Sequence, residues 1–115
     1  MLNNVSIMGR FTKDVEVRNT PDGTPVCDFT LAVDRDYKGK DAENRETDFL
    51  DCVCFGERAN FIGRNFGKGD LAGVVGRLRT RNYTRADGVS VHKTEIAVDN
   101  IYFGGRKPAA EVPAE

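Results

Sequence analysis

The residues from Gly76 to Arg85 read Gly-Arg-Leu-Arg-Thr-Arg-Asn-Tyr-Thr-Arg. On a β-strand the two-residue period puts Arg77, Arg79, Arg81 and Tyr83 on one face and Leu78, Thr80 and Asn82 on the other. Three guanidinium groups in a row repel one another, and nothing along the strand offers carboxylates at the spacing needed to pair them. The expected partner is therefore a polyanion. A single arginine on a strand is ordinarily a solvated surface residue, and a solvated outer face is the alternative reading of the row. Charge beside a ring points to single-stranded nucleic acid, because cations follow the phosphates while rings stack on bases.

Other chemistries find less support. The three cysteines, Cys27, Cys52 and Cys54, lie in apolar, strand-like runs and are expected to be buried thiols in a reducing compartment. With His92 they could supply four metal ligands on paper, but the spacing is not that of a zinc knuckle or ribbon, and no metal or other cofactor is expected. An enzyme would have to work with one histidine, no serine or cysteine placed beside it and no carboxylate pair in a recognisable cleft motif. The formal net charge is -1, so any phosphate binding depends on where charge lies. Between Gly76 and Lys93, Arg77, Arg79, Arg81, Arg85 and Lys93 face Asp87 alone, while the acidic residues collect chiefly between Asp14 and Asp51. No apolar run reaches membrane-spanning length and no signal sequence is recognisable, so the expectation is a cytoplasmic chain with no membrane partner.

The elements that must position the row can be read from periodicity. At 115 residues the chain is expected to be one domain with one modest core. Val5 to Phe11 alternates as a first strand, continuing through a bend to Val15 and Val17. After a turn at Thr20-Pro21-Asp22-Gly23, Val26 to Asp34 is a second strand with Cys27, Phe29, Leu31 and Val33 inward. Arg35 to Glu46 is too polar to bury and reads as a projecting arm carrying Tyr37. Thr47 to Phe55 is a third strand, its Leu50, Cys52 and Cys54 face suited to the interior. Phe49 and Phe55 then point outward, either as stacking platforms or as an oligomer or loop contact. Glu57 to Phe66 is the single helix, with Ala59, Ile62 and Phe66 inward and Gly67 past its end. Gly63 inside it costs about 1 kcal/mol relative to alanine, so the helix relies on packing. Leu71 to Tyr83 is a fourth strand that can kink at Gly73 and Gly76. Beyond a hairpin loop, Arg85 to Gly88, Val89 to Phe103 is a fifth. Its core side passes from Ile96 and Val98 to Ile101 and Phe103, a change of parity that predicts a bulge near Asp99. Residues 105–115 are expected to be a short disordered tail after a domain spanning 1–104.

Five strands with one helix between the third and fourth is the all-β layout of an oligonucleotide-binding (OB-fold) barrel. Its pieces stand in order as Asn3 and Val5 followed by Gly9-Arg10, then Pro21-Asp22-Gly23, Phe29 to Val33, Thr47-Asp48-Phe49, Lys68-Gly69, Gly76 to Tyr83, and Thr94-Glu95-Ile96. In these the chain resembles bacterial and phage single-stranded DNA-binding proteins from Leu2 to about Phe103. The resemblance implies a non-enzymatic protein that coats single-stranded DNA without sequence preference in replication, recombination and repair, and that assembles as a homotetramer, partly through pairing of first strands. A module for RNA or for a protein partner is the competing reading, because fold alone does not fix the ligand. The resemblance also implies base stacking on Tyr37, Phe49, Phe55 and Tyr83, positions often held by tryptophan, which this sequence lacks. The candidate DNA-contacting set is Arg10, Arg35, Tyr37, Lys38, Phe49, Phe55, Arg77, Arg79, Arg81, Tyr83, Arg85 and Lys93. The acidic, phenylalanine-ended tip that recruits partners in the family does not occur in Arg106 to Glu115, so tail-mediated recruitment is not part of the expectation.

Overall fold

The structure, a computed structural model, describes residues 1–35 and 46–105. The strands are β1 (Val5–Phe11), β2 (Val17–Asn19), β3 (Pro25–Asp34), β4 (Thr47–Phe55), β5 (Leu71–Thr84) and β6 (Ser90–Gly105), with α1 (Glu57–Asn65) between β4 and β5. They pair in the order β1-β5-β6-β4-β3-β2, and β1 also pairs with β3. Five strands therefore close into a ring, with β4 and β6 parallel and the other pairs antiparallel. This is the expected oligonucleotide-binding fold. The anticipated bent first strand is instead two strands, because after Phe11 the chain leaves β5 and Val17 to Asn19 pair only with β3. Gly105, expected in the tail, ends β6 opposite Leu71. The arm beyond Arg35, with Tyr37 and Lys38, and the expected tail after Gly105 lie outside the described residues.

Alternation sets the interior. Cys27, Phe29 and Leu31 of β3, Cys52 and Cys54 of β4, Ala72 and Val74 of β5, and Ile96, Val98 and Ile101 of β6 are all buried. Helix α1 closes one end with Ala59 and Ile62, and Phe66, the residue after its last turn, completes the inward stripe. Gly63 has a specific reason to be glycine, since a Cβ there would stand 2.5 Å from Cγ2 of Val17. The small residue lets β2 approach the helix, which offsets its poor helix propensity. Phe29, Phe11, Phe66 and Phe103 form one continuous stack, with successive ring centroids 4.8, 5.2 and 4.7 Å apart. Phe103, expected on the core side, stands opposite the buried Ala72 and stacks on Phe66, yet it is 64% exposed.

The bulge stands where parity requires it. Val75 pairs with Asn100 and Gly76 with Val98, so Asp99 is the extra residue. A Cβ on Gly76 would lie 2.2 Å from the carbonyl oxygen of Ala97, so only glycine allows β6 this close. From Gly76 onward β5 and β6 run as a hairpin that reaches beyond the ring, tied at its base by Asn3. That side chain accepts from the Leu78 amide (3.0 Å) and donates to the Leu78 carbonyl (2.9 Å), replacing a strand partner where β1 ends.

The three thiols are free and buried. Burial disfavours the thiolate, pushing Cys27 and Cys52 up to about 12 from an ordinary value of 9.0 and raising Cys54 as well. Folded-state values above the unfolded ones mean that stability is intact below pH 9.0 and falls as pH rises from there toward about 12. Urea melts across this range should show the midpoint dropping, and a thiol-specific reagent at neutral pH should react only after unfolding. Replacement of all three cysteines by Ala or Val that leaves the alkaline slope unchanged would contradict this account.

Candidate nucleic-acid interface

The hairpin register decides what the arginines meet. Arg79 lies opposite Glu95, Arg81 opposite Lys93 and Tyr83 opposite Val91. The Arg79 guanidinium donates through Nε to Glu95 Oε2 at 2.8 Å, and Arg81 Nη2 lies 3.6 Å from Glu95 Oε1. Arg77 donates to the bulged Asp99 at 3.3 Å. The expectation that a polyanion must supply the missing partner is thus corrected: the carboxylates come from the neighbouring strand, which a search along β5 alone does not reach. Glu95 is only 3% exposed, whereas its two arginines remain 41% and 48% exposed. Each bond to the carboxylate occupies part of a five-donor guanidinium fork and leaves the other donors available.

The same anchoring places cations on rings. Arg79 lies over Phe55 at 5.3 Å from the centroid and Arg81 over Tyr83 at 5.4 Å. Phe55 and Tyr83 are both partly exposed, and Phe49 is 66% exposed on the same face of β4, about 20 Å from Phe55 by strand rise. Asp51 lies between them and pairs with Lys93 at 3.7 Å. Under this surface Val26 and Val53 are buried beside Glu95, and a groove of about 260 Å³ runs among Arg18, Asp28, Phe55, Arg79, Arg81 and Glu95.

The structure brings Phe55, Arg79, Arg81 and Tyr83 together, and sets Phe49, Lys93 and Arg77 on the same surface around them. Arg85 is at the hairpin turn, paired with Asp87 at 3.2 Å. Arg35 follows the end of β3, where it bonds Asp48 and Glu46, and its hydrogen bonds hold the Asp48 carboxyl below the ordinary carboxylate range. Arg10 does not join the cluster. It donates to the Gly69 carbonyl at 2.9 Å and stands opposite Leu71, at the other end of β5. Sequence reasoning missed Glu95 as the organiser and missed Arg18, which reaches the groove from β2 and pairs with Asp28 at 2.8 Å. Counting the register back from the Arg85-to-Val89 turn would have found Glu95 opposite Arg79. Among the described residues no three His, Cys, Asp or Glu side chains gather as a metal site, and no helix is long and apolar enough to cross a membrane.

Comparison with known proteins agrees with this geometry. Residues 2–104 match the single-strand binding protein family. Single-stranded DNA-binding protein 1 of Staphylococcus aureus (strain COL) is 47% identical over 103 residues, covering 90% of this chain and 61% of that protein. Single-stranded DNA-binding protein A of Bacillus subtilis (strain 168) is 46% identical over 103 residues, with 90% and 59% covered. The chain therefore spans about three-fifths of the length of these relatives. A closed ring whose outer face joins anchored arginines to exposed rings, matched over nearly all its length, makes this chain a member of the single-strand binding protein family.

Proposed function

We propose that this chain binds single-stranded DNA without sequence preference, coating and protecting it during replication, recombination and repair, with no catalytic step. The observation that carries the reading is the pairing of Arg79 with Phe55 and Arg81 with Tyr83 through one buried carboxylate. The free N–H donors suit phosphate oxygens, and the rings suit bases of any identity. An exposed cation over a ring is worth about 0.5–1 kcal/mol, less than the roughly 1–3 kcal/mol of a stacked base, so a base can displace or share that contact. Phe49 extends the track along β4, and Lys93 and Arg77 border it. The setting is the cytoplasm, on bacterial or phage DNA.

The reading includes self-association, with four copies as the expected number. It is supported by Met8 and Tyr102, 58% and 55% exposed, which flank Gly73 across three paired strands. Among the described residues β1 meets β3 only at Arg10 and Phe11, so one edge of β1 is open toward a second copy from Val5 to Met8. Light scattering should give a mass several times that of the chain, and Tyr102→Glu should shift it toward smaller species. A monomeric wild type would refute the assembly.

Anisotropy of labelled oligo-dT tests the face itself. Phe49→Ala and Tyr83→Ala should each weaken binding by roughly 1–3 kcal/mol, the range usual for a ring that stacks on a base, with urea melting nearly unchanged. Phe55→Ala should lose both binding and some stability. Arg79→Ala should flatten the salt slope by about 0.7, the share of a single phosphate. Early melting with normal binding for Phe49→Ala and Tyr83→Ala would assign those rings to packing, and equal affinity for oligo-rU would extend the ligand to RNA.

Glu95→Gln separates positioning from competition. If the carboxylate orients the guanidinium groups, its loss should weaken oligo-dT binding by about 1 kcal/mol, roughly fivefold, although the protein loses a negative charge. Tighter binding would show that Glu95 merely competes with phosphate for the same arginines.

A further inference from the structure

The arginines of β5 are all held by carboxylates, yet two exposed arginines on α1 are not. Among the described residues Arg58 and Arg64 have no ion-pair partner, and with Phe61 they occupy positions i, i+3 and i+6, one stripe of the helix. This stripe lines an open groove of about 590 Å³ that begins at Phe55, the ring under Arg79, and is bordered by Asn100. One carboxylate, Glu57, lies in it, 3.5 Å from the Asn60 amide nitrogen. At the far end Arg64 also lines the next groove, with Phe103 and with Asp70, whose carboxylate accepts from the Gly67 amide at 2.8 Å. The Phe103 ring meets Phe61 edge to face at 6.0 Å and is the outermost member of the four-ring stack from the core. Being 64% exposed, it presents its outer surface as a platform for one more planar group.

We infer that a bound single strand does not end at Phe55 but continues over α1, with phosphates on Arg58 and Arg64 and a base stacked on Phe103. Unpaired cations interleaved with rings, continuous with the sheet face, are complementary to a polyanion carrying flat bases. A purely apolar partner would leave both guanidinium groups without a counter-charge. The extension rests on the reading of the sheet face as a DNA site.

The test uses a length series of labelled oligo-dT, each measured over a range of salt, with wild type, Arg58→Ala/Arg64→Ala, Phe103→Leu and Arg79→Ala. For the shortest oligomers that bind, the helix variant should match wild type, while Arg79→Ala is already flattened. With increasing length the wild-type salt slope should steepen and the helix variant should fall behind by about 1.4, two phosphates at 0.7 each. Phe103→Leu, which keeps apolar cover over Phe66, should lose about fivefold or more in affinity for long oligomers only. Equal slopes for wild type and the helix variant at every length would overturn the extension and leave the groove to a protein ligand. Failure of wild type to bind any oligo-dT would instead overturn the reading of the sheet face.

Discussion

One extra residue in β6 governs the rest of the structure. Without the bulge at Asp99, strict alternation from Ile96 and Val98 would send Asn100 and Tyr102 into the ring and turn Ile101 outward. With it, all three aliphatic side chains face in. The bulge divides the long pair of β5 and β6 into a part flanked by β1 and a part flanked by β4, whose outer end runs on as a free hairpin. Gly76 supplies the space for that division and Asp99 ties it to Arg77. The arginine row thus starts where β5 parts from β1.

Charge on the resulting face is organised rather than merely concentrated. With a net charge of -1, long-range attraction from the whole molecule is weak, and under the proposed function affinity for a polyanion rests on short-range geometry. A buried carboxylate costs desolvation that only close, well-formed bonds repay, and Glu95 has one such bond from Arg79 at 2.8 Å, with Arg81 in a looser ion pair at 3.6 Å. Those bonds restrict arginines that would otherwise lose considerable rotamer entropy on meeting a phosphate. Under the proposed function, preorganisation takes the place of excess charge.

How far the sequence foretold this depended on whether a feature was local. The strands β3 and β4, the helix and the parity change at Asp99 follow from alternation within short windows, and the buried thiols follow from the inward faces of those strands. Phe49, Phe55 and Tyr83 were legible as outward rings for the same reason. Glu95 was not, because its role depends on which residue of another strand stands opposite. Val17 was assigned to a bent first strand because periodicity does not reveal a change of pairing partner. Phe103 was placed in the core by parity, which says which way a side chain points but not how much of it its neighbours cover. Arg10 shares residue type with the interface, but its place on β1 puts it at the far end of β5.

The bond between Asn3 and Leu78 has a practical consequence for handling the protein. Anything appended ahead of Asn3 must emerge beside the base of the arginine hairpin, whereas Gly105 leaves β6 opposite Leu71, about 23 Å away along β5. An affinity tag or surface linker at the amino end would crowd the proposed binding face and depress apparent affinity for steric reasons alone. Attachment after Gly105 keeps the load clear of the hairpin but sets it beside the groove of Arg64 and Phe103, so immobilised assays should compare both ends.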